Sequence, residues 1–398
     1  MRRIASLALA AALLGGGAQA QTSIKIGVLT DLSGPYADLS GTGSAVGARL
    51  AAEEFMAANK GFTVEIVSAD HQNKPDIGSS IARQWMDREN VDVIVDVANS
   101  GVALAVSQIA KEKDKVLLAT GTASSDLTGK ACSSNTVHWT YDTYALSHGT
   151  GRSLVKAGGQ SWFFLTADYA FGHALERDTN AVVIAQGGQV VGKVRHPLNS
   201  SDFSSFLLQA QQSKAKVIGL ANAGADTVNA IKQASEFGLA DGGTRLASLL
   251  FFITDVHSLG LKTAKGLVLT EAYYWDLNDG TRQFAKRFAE KMPGRVPSMI
   301  HAGAYSGTLH YLNAVAAAKT KAGGTVVAQM KKTPTDDIAF GKGRVREDGR
   351  KMHDMYLFEV KRPEESSKPW DYYKLISSIP ADDAFRPLSE GACPLVSK

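Results

Sequence analysis

Two apolar segments that have the pattern of β-strands each end in a run of small polar residues. Residues 97–101 (VANSG) close the first segment, and residues 119–125 (ATGTASS) close the second. Ligands of open parallel sheets lie outside the carboxyl ends of the strands, where helix N-termini offer unpaired N–H groups that suit a carboxylate without an arginine. The residues expected to contact such a ligand are Asn99, Ser100, Gly121, Thr122 and Ala123. Helix capping by Ser100, Thr122 and Ser124 is the alternative, and it is compatible with ligand contact.

A second series of strand ends is richer in aromatic residues. The segments 168–172 (DYAFG), 222–226 (NAGAD) and 273–275 (YYW) stand at the ends of apolar runs. Aromatic rings offer a large contact area and a π-face to a ligand. The residues expected on this side of the site are Tyr169, Phe171, Asn222, Phe251 and Tyr273. Packing at a hinge is the alternative for the run 273–275.

Recognisable catalytic and metal-binding motifs are missing from the sequence. The 9 histidines are scattered, and no pair has the i, i+4 spacing that puts two metal ligands on one helix face. Residues 41–47 (GTGSAVG) have the spacing GxGxxxG and begin well beyond the first strand, so they do not match the dinucleotide fingerprint. The 43 Lys and Arg against 39 Asp and Glu include no basic block that would favour nucleic acid. We therefore expect no cofactor, no metal and no nucleic-acid partner.

The N-terminus and the cysteines indicate a compartment outside the cytoplasm. Residues 1–20 combine two arginines, a short apolar run and a terminal AQA, which is the pattern of a secretory signal cleaved before Gln21. A retained anchor or a transit peptide is the alternative. In an oxidising compartment, Cys132 and Cys393 are expected to form a disulfide, and two buried thiols are the alternative.

Cleavage of this segment has a direct test in the intact mass of protein recovered from the periplasm. We expect a mature chain that begins at Gln21, because small residues precede the proposed cut. A mass that retains residues 1–20 would contradict both the cleavage and the localisation.

Short β-branched segments alternate with longer amphipathic segments along most of the chain. In the first block the predicted strands are 24–30, 62–70, 91–97 and 115–120, with helices near 44–59, 77–88 and 102–113. In the second block the predicted strands are 161–168, 189–196, 216–222, 244–252 and 266–274, with helices near 143–156, 172–186, 203–212 and 225–237. Helices at 281–291 and 298–318 and a strand pair at 356–361 and 372–379 follow. This order in 398 residues predicts an α/β protein with two lobes, each built on a parallel sheet covered on both faces.

Several of these segments together resemble the extracytoplasmic solute-binding proteins of ABC importers, in the branched-chain amino acid (Leu/Ile/Val-binding) family. The matching segments are IKIGVLTDLSGPYADLSG from residue 24, VDVIVDVANSGVALAVSQIA from 91, KVLLATGTASSDLTG from 115, ADYAFGHALE from 167 and GLVLTEAYYWD from 266. The resemblance implies a type I periplasmic-binding fold, with two Rossmann-like lobes, a three-crossover hinge and a ligand enclosed between the lobes. On this basis we expect lobe 1 at 21–142 plus 275–342, lobe 2 at 143–274 plus 343–380, and a C-terminal tail at 381–398.

The resemblance also places the family's binding residues on this chain. The family's serine after the third strand falls on Ser100, its backbone-and-hydroxyl cradle falls on 121–123, and its first-loop covering side chain falls near Leu39. Its second-lobe aromatic residue falls on Phe171 or Tyr169.

The chain departs from the family at the acidic residue that holds a ligand's ammonium group. The corresponding segment, 249–253, reads LLFFI, and no carboxylate follows before Asp255. A buried ammonium without a partner costs several kcal/mol. We therefore expect a carboxylate with an apolar body, an aromatic acid or an amino-acid-like compound, rather than a plain amino acid.

The leading expectation is a periplasmic, monomeric, non-enzymatic protein that captures this small carboxylate and delivers it to the permease subunits of an ABC importer. A ligand sensor of the same fold that acts on a separate receptor is one alternative. A secreted α/β enzyme is the other, because catalytic triads are spatial and need no sequence motif.

Overall fold

The first lobe begins with strictly alternating strands and helices. The computed structural model describes residues 21–239 and 242–396, so the predicted signal segment 1–20 lies outside the described residues. The first elements are β1 (Thr22–Thr30), α1 (Gly41–Ala58), β2 (Phe62–Asp70), α2 (Pro75–Arg88), β3 (Val93–Asp96), α3 (Ser100–Glu112), β4 (Val116–Ala119) and β5 (Thr136–His138). The strands form a parallel 5-stranded sheet in the order β2-β1-β3-β4-β5. Every residue of β3 and β4 is buried, as expected for strands covered on both faces.

The second lobe repeats this arrangement around a 4-stranded parallel sheet in the order β7-β6-β8-β9. Its elements are α4 (Thr143–Leu146), α5 (Arg152–Lys156), β6 (Ser161–Ala167), α6 (Ala170–Ala185), β7 (Gln189–His196), α7 (Ser204–Gln212), β8 (Val217–Ala221), α8 (Ala225–Glu236), β9 (Arg245–Ser248), α9 (Ile253–Leu259), α10 (Leu261–Ala264) and β10 (Val268–Glu271). A π-helical turn, Ser147–Gly151, joins α4 to α5.

The remaining elements return to lobe 1 and then to lobe 2. They are α11 (Asp279–Lys291), α12 (Met299–Ala318), α13 (Gly323–Lys332), β11 (Thr335–Asp337), β12 (Gly341–Val345), β13 (Lys351–Met352), β14 (Met355–Val360), β15 (Tyr373–Ile379) and α14 (Ala381–Ala384). Helix α12 packs along α1, whereas β14 pairs with both β10 and β15. The chain therefore passes between the lobes near residues 138–143, 272–278 and 346–354, which we call the first, second and third passages.

Two predicted strands continue three or more residues beyond the point where the strand ends in the structure. The prediction 244–252 becomes β9, which ends at Ser248, and the prediction 266–274 becomes β10, which ends at Glu271. Residues 249–252 are apolar and buried within the second lobe, and there the chain turns into α9. The Asp255 carboxylate accepts a hydrogen bond from the Phe252 N–H at 2.9 Å and fixes this turn at the N-terminus of α9. An apolar run alone does not distinguish a buried turn from a buried strand.

The third passage begins inside a small sheet of lobe 1. Strand β12 pairs antiparallel with β11 and β13, and the Val345 side chain packs in the core of the first lobe. The boundary predicted between residues 342 and 343 therefore falls within β12.

The glycines of the GTGSAVG run allow α1 and α12 to approach closely. A Cβ atom at Gly47 would lie 2.4 Å from the His301 carbonyl oxygen, and one at Gly43 would lie 2.3 Å from the His301 ring. These glycines serve helix packing, and Ser40 caps the helix by accepting from the Gly41 N–H.

The C-terminal tail is tied to lobe 1 and covers the hinge. A disulfide joins Cys132 to Cys393 across a sequence separation of 261. Arg386 donates to the Ser125 carbonyl oxygen at 2.7 Å, and Phe385 is buried against the third passage.

Candidate functional site

A narrow cleft lies between the carboxyl ends of the two parallel sheets. In this arrangement of the lobes the cavity volume left between its walls is about 10 Å³, roughly what a single water molecule needs. Its lining consists of glycine and apolar or tyrosine side chains: Tyr36, Leu39, Ala98, Gly121, Ala123, Tyr141, Tyr169, Phe171, Ala223, Leu250 and Phe252. These walls present mainly apolar and aromatic surface to a ligand.

The lobes touch each other at the mouth of this cleft, so the structure is the closed form. The hydroxyls of Tyr36 on lobe 1 and Tyr169 on lobe 2 lie 2.5 Å apart. The Ala225 N–H at the start of α8 donates to the Pro35 carbonyl oxygen at 3.1 Å. A ligand in the cleft is therefore enclosed by both lobes.

The loop after β4, residues 119–123, is held from one side by the first passage. Every carbonyl oxygen of this loop accepts a hydrogen bond from that passage. The pairs are Ala119 with the Trp139 N–H at 2.9 Å, Thr120 with the Thr140 hydroxyl at 2.7 Å, Gly121 with the Tyr141 hydroxyl at 2.8 Å, Thr122 with His138 Nε2 at 2.8 Å, and Ala123 with the Thr143 N–H at 2.8 Å. Burial holds the pKa of His138 well below its usual range, so the neutral ring donates through Nε2.

Two N–H groups of this loop remain available to a ligand. Among residues 21–239 and 242–396, the Thr122 and Ala123 N–H groups have no hydrogen-bond partner, and neither does the Ser100 N–H at the start of α3. Ser100 Oγ accepts from the Ser124 N–H at 3.2 Å, so its own proton remains free to donate. Converging N–H groups at a helix N-terminus are an established way to bind a carboxylate.

Gly121 is required by the close contact between this loop and β3. A Cβ atom at Gly121 would lie 2.1 Å from Asp96 Oδ1, and the Gly121 N–H donates to the Asp96 carbonyl oxygen at 3.1 Å. Asp96 and Val97 adopt φ angles of 84° and 58°, in the left-handed region that a β-branched valine rarely adopts. The strand thus ends in a strained turn directly beneath the cleft, a feature typical of functional sites. Burial raises the pKa of the Asp96 carboxyl to about 6.

Five of the residues predicted from the sequence meet in the cleft: Leu39, Gly121, Ala123, Tyr169 and Phe171. Ser100 is buried and is not part of this lining. Asn99 is the N-cap of α3, where its side chain accepts from the Gly101 and Val102 N–H groups. The Thr122 hydroxyl turns away from the cleft and donates to the Val97 carbonyl oxygen at 2.5 Å.

Three predicted second-lobe residues lie in the protein interior instead of on the cleft wall. The Asn222 side chain is buried and bonds to His196 and Thr227. Phe251 packs in the core of lobe 2, because neighbouring residues of an extended segment point in opposite directions and Phe252 takes the cleft side. The Tyr273 hydroxyl donates to the Thr281 carbonyl oxygen at 3.1 Å within the hinge packing.

Sequence reasoning missed the other half of the lining: Tyr36, Ala98, Tyr141, Ala223, Leu250 and Phe252. Ala98 and Ala223 belong to loops that the sequence had singled out, and Leu250 and Phe252 adjoin Phe251. Tyr36 lies in the segment GPY after β1, next to turn residues. Tyr141 has no local pattern, since only the hinge geometry brings it beside Gly121.

The acidic residues nearest the second-lobe wall are engaged by backbone groups. Asp226 accepts from the Asn199 N–H at 3.1 Å and the Ser200 N–H at 2.8 Å. Burial raises the pKa of Asp226 and of Asp255 to about 7 in each case. Among the described residues that line the cleft, none carries a carboxylate that could face a ligand's ammonium group.

Two further properties concern membranes and metals. Within the part of the chain that the structure describes, no helix is long and apolar enough to cross a membrane. In the same residues, no group of three or more His, Cys, Asp or Glu side chains could hold a metal ion.

The fold and the enclosed cleft define a two-lobed binding protein, and the chain belongs to the periplasmic binding protein family, whose model matches residues 23–367. It is similar to the crystal structure of a periplasmic binding protein from Burkholderia mallei, with 52% identity, coverage of 94% of this chain and 99% of that chain, and a TM-score of 0.92. It is also similar to a branched chain amino acid ABC transporter periplasmic ligand-binding protein from Burkholderia xenovorans LB400, with 39% identity, coverage of 94% and 99%, and a TM-score of 0.82. The Leu/Ile/Val-binding protein homolog 6 of Brucella melitensis biotype 1 is 28% identical over 315 residues, 77% of this chain and 79% of that protein.

These comparisons confirm the family and the two-lobed parallel-sheet fold that the sequence predicts. The family and these relatives are substrate-binding proteins, not enzymes.

Proposed function

We propose that this protein is the solute-binding component of an ABC importer, and that it captures a small carboxylate with an apolar, preferably aromatic, body between its lobes. The observation that carries the proposal is one cleft that combines free N–H groups on lobe 1 with an uncharged, aromatic-rich wall on lobe 2. The loaded closed form then delivers the solute to the permease. The relative from Burkholderia xenovorans, named as a component of such a transporter, supports this partner.

The carboxylate belongs at the lobe 1 end of the cleft. The carbonyls of residues 119–123 are all taken by the first passage, so the loop offers N–H groups and not carbonyl oxygens to the ligand. The N-terminal end of α3 adds a partial positive charge near Ser100. These features favour an anion and disfavour a cation.

The body of the ligand belongs against the second lobe. Tyr169, Phe171 and Phe252 supply aromatic surface there, and Leu39 covers the ligand from lobe 1. Because Asp226 and Asp255 accept backbone N–H groups and none of the described residues that line the cleft is acidic, the cleft wall offers an ammonium group no carboxylate. We further propose that the protein is exported to the periplasm and acts there as a monomer. The predicted signal segment supports the export, and the family supports both parts.

Ligand class is tested by titrating benzoate, 4-hydroxybenzoate, leucine and valine into the purified protein, side by side, in a calorimeter. We expect an aromatic acid to bind at least tenfold more tightly than either amino acid, a difference of about 1.4 kcal/mol. Micromolar binding of leucine or valine without binding of the aromatic acids would contradict the proposal. That result would instead indicate a branched-chain amino acid as the ligand, in agreement with the transporter class named for the 39% identical relative.

Ser100→Ala tests the carboxylate end of the cleft. We expect a loss of about 1–3 kcal/mol in binding free energy, because a hydrogen bond to a charged acceptor disappears. Calorimetry of the variant measures this loss. Ser107→Ala is the matched control, since Ser107 is also buried on α3 but its hydroxyl bonds to Thr136, away from the cleft. An equal effect of both substitutions would contradict a specific role for Ser100.

A further inference from the structure

The first passage is itself held by the third passage. Consecutive carbonyl oxygens at residues 139–141 accept hydrogen bonds from two side chains: Trp139 from Arg350 Nη2, Thr140 from His353 Nε2 at 2.7 Å, and Tyr141 from Arg350 Nη1 at 3.0 Å. Each of these side chains is buried. The two passages also form a β-bridge between His138 and Arg350.

Arg350 is an unusual residue to find in this position. It is completely buried, and its carboxylate neighbour, Asp142 Oδ2, lies 3.5 Å from Nη1, so most of its donors meet neutral carbonyl oxygens. Burial lowers the pKa of its guanidinium to about 10. Burying a charge is costly and contributes little to stability compared with an apolar side chain of similar volume. A requirement of packing alone therefore does not explain the arginine.

Tyr141 links this arginine to the ligand loop. Its carbonyl oxygen is held by Arg350, its hydroxyl donates to the Gly121 carbonyl oxygen at 2.8 Å, and its ring lines the cleft. A planar guanidinium can hold two carbonyls in a fixed geometry, which a lysine cannot reproduce. The orientation of the loop 119–123 thus depends on a side chain that does not line the cleft.

The tail fixes the other face of the guanidinium. The Phe385 ring lies 4.4 Å from the Arg350 guanidinium carbon, within cation–π distance, and it also packs edge-on against His353. The arginine is thereby confined between the tail and the first passage.

We propose that Arg350 is a positioning residue for ligand capture, which fixes the first passage so that the loop 119–123 presents its N–H groups to the carboxylate. This inference rests on the proposed function for the identity of the bound group. Its structural part, the dependence of the loop on Arg350, applies to the unliganded protein as well.

The test compares Arg350→Met and Arg350→Lys with wild type and with a matched control, Arg346→Met. Arg346 lies in the same turn, and it bonds to Asp348 and the Arg386 carbonyl oxygen of the tail instead of the first passage. In the unliganded proteins, the rate of amide hydrogen exchange is measured in peptides that cover residues 117–124 and 138–143. A peptide that covers residues 161–167 in lobe 2 is the internal reference. Benzoate affinity is measured by calorimetry.

For Arg350→Met we expect at least tenfold faster exchange in 117–124 and 138–143, unchanged exchange in 161–167, and at least tenfold weaker benzoate binding. Arg350→Lys should fall between this variant and wild type, and Arg346→Met should match wild type. Arg350→Lys decides the question alone if the methionine variant does not fold.

The inference is overturned if the peptides 117–124 and 138–143 of the Arg350 variants exchange at the wild-type rate. It is also overturned if exchange becomes faster to the same extent in both lobes. Benzoate affinity within twofold of wild type would also overturn it. If wild type itself does not bind benzoate, the proposed ligand class fails, and the exchange pattern still decides the role of Arg350.

Discussion

Replacing Gly224 with alanine is expected to weaken ligand binding by roughly 10- to 100-fold, because overpacking by one methyl group costs about 1–3 kcal/mol. In the closed form, a Cβ atom at Gly224 would lie 2.3 Å from the Pro35 carbonyl oxygen and 3.0 Å from the Tyr36 ring. A backbone oxygen cannot rotate away as a side chain does. Closure would have to stop short, and the hydrogen bond from the Ala225 N–H to Pro35 would be lost.

Calorimetry measures the change in affinity, and Gly187→Ala is the matched control. Both glycines lie in lobe 2 and have positive φ angles, 58° at Gly224 and 80° at Gly187, so both substitutions place a side chain at a φ angle that favours glycine. A Cβ atom at Gly187 meets nothing within 4 Å. We expect near wild-type affinity for the control. Wild-type affinity in Gly224→Ala would show that the lobes do not meet as described.

Removing the disulfide is expected to lower the free energy of unfolding by about 2–5 kcal/mol, and loop entropy places the value near the upper end of that range. The reason is the sequence separation of 261 between Cys132 and Cys393, since the bond restricts the unfolded chain over that whole length. The tail that it anchors also contributes Phe385 and Arg386 to contacts with the hinge and with residue 125.

Urea unfolding of a Cys132→Ser, Cys393→Ser double variant measures this loss. Wild type treated with a dithiol reductant is the chemical control, and it should lose a similar amount, whereas the reductant should not affect the double variant. Equal unfolding midpoints for oxidised wild type and the double variant would contradict the stabilising role of the bond.

The parts of this protein that follow local rules could be predicted from the sequence. The order of β1 to β4 and α1 to α3 is confirmed, because short β-branched segments alternate there with long amphipathic segments, whereas the short strand β5 was not predicted. The position of the cleft at the strand ends follows from the same topology, and this places the loops around Gly121 and Tyr169 in it.

The direction of single side chains was harder to predict. Phe251 and Phe252 are identical in type and adjacent, and only the exact turn into α9 decides which one faces the cleft. The Thr122 hydroxyl could equally face a ligand or the backbone, and the strained turn at Val97 captures it.

The remaining features arise from contacts between residues that are distant in sequence. Tyr141 lies at the cleft because its hydroxyl donates a hydrogen bond to the Gly121 carbonyl oxygen, and Arg350 contacts this loop only indirectly, through Tyr141. These residues are far apart in the sequence, so no periodic pattern in the sequence predicts the contacts. Such residues have no motif, because their role is defined by the three passages and not by any one segment. Hinge regions are therefore where sequence reasoning recovers least.

Small-angle X-ray scattering, without and with the compound that binds most tightly in calorimetry, tests the central claim that a ligand is captured by closure of the two lobes. A ligand that contacts both lobes favours the closed state by its differential affinity for that state. We expect the radius of gyration to fall on saturation to the value given by the closed structure. The contradicting result has two parts. The scattering profile of the unliganded protein differs from that of the closed structure, and the radius of gyration nevertheless stays the same when the ligand saturates the protein.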